Sequence, residues 1–202
     1  MLKKILFSGL LYLFAIETHA ANLQPTHIVL KDKSKITYVA PVNGDVMEGE
    51  FKDYQSFIHF NPSKPYESYF KFNFKLSPQT ISTTNMDVAR GVLGSQLDSF
   101  SKMGLFIPAT FEVREMEHLS DNDYRGRGIL HLMGRKHVAE FQMLVVNGDE
   151  PLLGAGKGFV TFATYFNIDR AKLGKFKGEN ASGYNISDMI NISANLVTKI
   201  VE

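Results

Sequence analysis

The sequence predicts an all-β fold, an antiparallel barrel or sandwich of about eight strands, on three observations. Apolar and polar residues alternate through YFKFNFKL, so Phe70, Phe72, Phe74 and Leu76 share one face and Lys71, Asn73 and Lys75 share the other. Runs of this kind recur almost to the end of the chain, separated by clusters of turn-forming residues. Helical periodicity is confined to one stretch.

The chain opens with MLKKILFSGLLYLFAIETHA. Lys3 and Lys4 precede an apolar run from Ile5 to Ile16, and Thr18-His19-Ala20 offers a cleavage site with small flanking residues. Residues 1–20 therefore read as a secretory signal peptide, with a single domain over 21–202. The apolar run is short for a membrane span, and no later segment is apolar enough to be one. No cysteine follows it, which excludes a lipid-modified N-terminus. The short signal with its lysine pair points to a bacterial chain that is periplasmic or secreted.

Strands are expected at Ile36 to Val39, at Phe51 to Phe60, and through YFKFNFKL, which ends at Ser77-Pro78. The stretch Met86 to Phe100 differs. Val88, Val92, Leu93, Leu97 and Phe100 approximate helical spacing, and Asn85 or Asp87 caps its start, so it reads as a short helical insert. Strands resume at Thr110 to His118, Tyr124 to Leu132, Lys136 to Val146, Phe159 to Phe166 and Ile186 to Lys199. In the last, Ile186, Ile190, Ile192, Ala194 and Leu196 have one parity.

Without residues 1–20, which carry Lys3, Lys4 and Glu17, the formal net charge falls from +1 to zero. A neutral chain with interspersed charges argues against nucleic acid as a partner and offers no polybasic membrane contact. There is no cysteine, so no disulfide supports the fold. Sixteen Phe and eight Tyr supply the bulk of a core that burial alone must hold together.

The ribbon GRGILHLMGRKHVAEF, residues 126–141, fits a β-hairpin turning at Gly134-Arg135. Gly128, Leu130 and Leu132 share a face before the turn, and Ala139, Phe141, Met143 and Val145 share one after it. This hairpin resembles the Gly-x-Leu-Thr-Leu-x-Gly hairpin of the YceI-like family of secreted, lipocalin-like lipid-binding proteins. The matching residues are Gly128, Leu130, Leu132, Gly134, Lys136 and Val138, with His131 where the family often has Thr. Gly49-Glu50-Phe51, Ser82-Thr83-Thr84-Asn85, Pro108-Ala109-Thr110-Phe111 and Arg170 with Gly174 resemble further family segments, in the same order. Ahead of the Pro108 block, the family's Arg and Phe-Phe pair are replaced by Leu97-Asp98-Ser99-Phe100-Ser101-Lys102-Met103.

The resemblance implies a lipocalin-like antiparallel eight-stranded barrel with a long apolar ligand inside: a polyisoprenoid, an isoprenoid quinone or a fatty-acid derivative. Exposing a lipid tail to water costs about 0.8 kcal/mol per methylene, and a tunnel lined by Phe, Leu and Met removes that cost. Phe72, Phe74, Phe111, Leu130, Leu132 and Phe141 are the candidate wall residues, against the plainer reading that they fill a core. Arg90 and Lys102 are candidates for a head group, against an ordinary solvated role. A carrier of this kind needs a tunnel of roughly 300–1,000 Å³. A solid barrel would instead be an interaction module for a protein partner, a homodimer included, with Ile186 to Val197 as an exposed edge.

An enzyme acting on a lipid-like substrate is the weakest reading. No Gly-x-Ser-x-Gly elbow is present, and no nucleophile–base pair emerges. His131 and His137 lie on opposite arms of the hairpin, and the sequence names no further metal ligands beside them. GAGKG, residues 154–158, has Pro151 and Gly158 where a phosphate-binding loop needs Gly and Ser or Thr, so it reads as a turn before a strand. No catalytic residue, metal or cofactor is expected beyond the bound isoprenoid lipid or quinone.

Overall fold

The computed structural model describes residues 23–42, 45–76, 81–83, 107–132, 134–149, 155–169, 172 and 187–201. The expected signal peptide and the helical insert expected at Met86 to Phe100 lie outside these residues; the elements described are strands and one 3-10 turn. Its strands are β1 (His27–Val29), β2 (Lys35–Val42), β3 (Asp45–Phe51), β4 (Tyr54–His59), β5 (Tyr69–Leu76), β6 (Ile81–Thr83), β7 (Ile107–Ser120), β8 (Asp123–Leu132), β9 (Arg135–Asn147), β10 (Phe159–Asp169) and β11 (Met189–Ile200). A 3-10 turn, Pro65–Glu67, joins β4 to β5.

The sheet runs β1-β4-β5-β7-β8-β9-β10-β11, and β11 pairs back to β1, so eight antiparallel strands close a barrel. The other three segments lengthen strands of that ring. After Val29↔Thr198, β2 carries the pairing along β11 from Lys35↔Asn195 to Val39↔Asn191. β3 pairs β2 and leads into β4, and β6 pairs β3 as β5 pairs β4. Between β1 and β2 the chain turns out of the ladder. There the Leu30 N–H donates to the Val197 carbonyl (2.9 Å), and the Val197 N–H donates to the Ser34 hydroxyl (2.9 Å). The serine oxygen stands in for a backbone acceptor, so the edge of β11 stays satisfied across the break.

Closure corrects one expectation. Ile186 to Val197 is not an exposed edge, because β11 is bonded to β10 on one side and to β1 and β2 on the other. The strand expected over Phe51 to Phe60 is broken at Lys52-Asp53. Elsewhere the alternation sets the register as read. Phe70, Phe72 and Leu76 are buried, as are Tyr124, Leu130 and Leu132 on β8 and Ala139, Phe141, Met143 and Val145 on β9. A bulge at Arg114 lets Val113 and Met116, three apart, both turn inward. The β8–β9 turn closes on the pair Leu132↔Arg135, and Gly134 takes φ +75°, a conformation open to glycine.

Two inward glycines of β8 serve a different purpose. A Cβ at Gly128 would fall within the ring of Phe111 on β7, and one at Gly126 would strike the Phe141 ring and the Glu115 carbonyl. Each glycine leaves the space that a neighbouring strand's ring occupies.

At the end of the barrel where β1 begins, Phe162 is fully buried against His27 (5.1 Å between ring centres), Phe60 (5.2 Å) and Phe70 (5.6 Å), all edge-to-face. Burial in this cluster, helped by nearby His59, lowers the His27 pKa from 6.5 to about 4. The unfolded chain therefore binds more protons than the native chain between pH 6.5 and 4. Stability from keeping His27 neutral is present above pH 6.5 and is lost as pH falls through 4. Urea unfolding across this range is expected to show a shallower acid-side loss in His27→Gln than in the wild type. Parallel losses would contradict the assignment.

Candidate functional site: the barrel interior

Five of the six wall residues read from the sequence, Phe72, Phe111, Leu130, Leu132 and Phe141, are buried with the inward-facing set. Phe74 is partly buried and packs against the same core. Strand parity brings them together: β5, β7, β8 and β9 are consecutive neighbours whose inner faces form one continuous apolar surface. Arg90 and Lys102 lie outside the described residues.

The rings form three tiers along the barrel. The Phe60–Phe70–Phe162 cluster closes one end. In the middle, Phe111 stacks on Phe166 of β10 at 4.7 Å, with the planes 6° apart, and meets Phe141 edge-on. Beyond it, on the strands from β2 to β5, Tyr38, Phe51, Phe74 and Tyr54 follow one another with centres 5.4 to 6.2 Å apart. Between the first two tiers lies a cavity of about 30 Å³, bounded by Phe70, Phe72, Phe111, Phe141, Phe162 and Leu196 among others. A tunnel of several hundred Å³ was expected; among the described residues the rings fill that space instead, and the gap left is about the share of one liquid water.

Sequence reasoning passed over His137 as a satisfied or exposed histidine. It is buried with the inward set of β9, while His131, its near neighbour across the hairpin, is only partly buried. Burial, together with the charge of Lys172, lowers the His137 pKa; a hydrogen bond to the backbone of Asn167 on β10 opposes the shift. Among the described residues no three His, Asp or Glu side chains gather into a metal site. The GAGKG segment leads into β10, with Gly156 and Gly158 at positive φ. Outside the barrel, Glu112 receives Arg114 (2.8 Å) and Lys71 (3.0 Å); burial opposes its charge, yet these two cations hold its pKa below the usual value. This group fastens β5 to β7 on the outer wall.

A model of the YceI-like domain matches residues 27–198. No curated protein matches the chain. Among solved structures, Burkholderia cenocepacia BcnA is similar at TM-score 0.67 and 20% identity, with 84% of this chain and 99% of that chain covered. A polyisoprenoid binding domain from Saccharophagus degradans, implicated in plant cell wall breakdown, is similar at TM-score 0.58 and 15% identity, covering 88% and 99%. The Campylobacter jejuni YCEI protein is similar at TM-score 0.53 and 22% identity, covering 76% and 85%. At these identities the likeness shows a shared fold.

Proposed function

The chain belongs to the YceI-like domain family, and from that membership and its apolar inner wall we propose an exported, non-catalytic binding protein for one long-chain apolar molecule. The ligand class is a polyisoprenoid, an isoprenoid quinone or a fatty-acid derivative, held in the barrel by burial. One observation carries the reading: from β5 to β10 the inner face is a largely apolar surface, with Phe111 and Phe141 in the space that Gly128 and Gly126 leave. The polyisoprenoid binding domain among the structural relatives supports the choice of ligand. Ten buried methylenes are worth roughly 8 kcal/mol, from which the cost of association and of moving the central rings is subtracted.

The 30 Å³ cavity favours a second reading, a solid barrel whose outer face binds a protein partner. Native mass spectrometry and solvent extraction of protein purified without detergent separate the two. The binding reading expects one class of long-chain apolar molecule in near-stoichiometric amount. A clean extract from a protein that also fails to take up a hydrophobic fluorescent probe would leave only the solid barrel.

A further inference from the structure

The ladder between β9 and β10 runs from Asn147↔Val160 to Phe141↔Phe166 and stops there. Both strands continue past that point. β9 stays paired to β8 as far as Arg135, and β10 stays paired to β11 as far as Asp169. Over residues 137–140 and 167–169 this seam of the wall is therefore unlaced. A groove of about 650 Å³ follows the split, bordered by His137, Val138 and Phe141 on one bank and Tyr165, Phe166 and Met189 on the other. Val138, Tyr165 and Met189 are among the few large apolar side chains left exposed. Phe141 borders the 30 Å³ cavity as well as the groove, so one ring separates outside from inside. His137 reaches across the split to the Asn167 backbone, where no ladder bond does.

We infer that a long apolar chain enters the barrel sideways, between β9 and β10, with His137 as the positioning residue that latches the split. This rests on the binding reading above. Parting the strands here breaks no ladder bond, whereas any fully laced stretch must lose several. One end of the barrel is closed by the Phe60 and Phe162 rings. A side opening also lets a polar head remain in water while the tail goes in.

The chain has no cysteine, so an introduced pair is unique. Glu140→Cys with Asn167→Cys straddles the split, while Leu144→Cys with Ala163→Cys sits on the laced part of the same seam, clear of the groove. Each pair is joined with a short bis-maleimide, and stopped-flow uptake of cis-parinaric acid is followed. Joining the first pair is expected to slow uptake and release at least tenfold; joining the second is expected to change neither. His137→Ala is expected to speed both rates several-fold with a smaller change in Kd. Wild-type uptake with equal rates in both joined proteins, or with no change in His137→Ala, overturns the side route alone. Failure of the wild type to take up the probe at all overturns the binding reading beneath it.

Discussion

Gly128→Val is expected to destabilise the protein by about 2–4 kcal/mol. The new branched side chain would occupy the place of the Phe111 ring. That ring has little room to retreat, because Phe166 is stacked on it at 4.7 Å, its edge meets Phe141, and the cavity beside it is only about 30 Å³. Close-packed interiors transmit such an intrusion instead of absorbing it. Urea unfolding measures the loss, and Phe111→Ala in the Gly128→Val background should recover part of it, since it removes the clashing partner. A loss under about 0.5 kcal/mol, the usual size of a surface change, would show that the ring is not seated as described.

Phe162→Ala is expected to cost about 3–5 kcal/mol, the range for removing a large buried ring from a core that only partly collapses. Phe162 is 0% exposed and touches rings from three other strand regions, so no single neighbour can move in to fill its place. The same change admits water to His27. Its pKa, lowered by burial, should move back towards 6.5, as an NMR titration of the ring would show. Tyr165→Ala, on the outer face of the same strand, is the comparison and should stay within about 0.5 kcal/mol. Similar losses in both variants would mean that the cluster does not hold that end of the barrel closed.

Much of the fold was legible because alternation with period two fixes which side chains share a face. YFKFNFKL and the 126–141 ribbon placed Phe72, Leu130, Leu132 and Phe141 with the inward set. What alternation does not encode is reach. It assigns a ring to the inside but not how far across the lumen the ring extends, so the filled middle tier was missed. Gly128 was read only as sharing a face with Leu130 and Leu132; that it and Gly126 make room for a ring depends on a neighbouring strand. β1 is three residues long, too short to show a period, and only pairing with β4 and β11 reveals it. The supposed edge at Ile186 to Val197 failed for the same reason, because its partners lie at the far end of the sequence. His137 was weighed only as a metal ligand, because nothing in the sequence marks where the β9–β10 ladder ends.

The seam that joins His27 to Ile200 ties nearly the first described strand residue to the last. During synthesis every other strand of the ring can be laid against an earlier one as it emerges, but the ring stays an open sheet, with two free edges and its oily side in water, until β11 arrives. Loop-closure entropy makes that last union slow, and unpaired edges make the waiting form prone to self-association. Loss of a few C-terminal residues would therefore do harm out of proportion to the area they bury, by leaving the nascent chain permanently at its most adhesive stage.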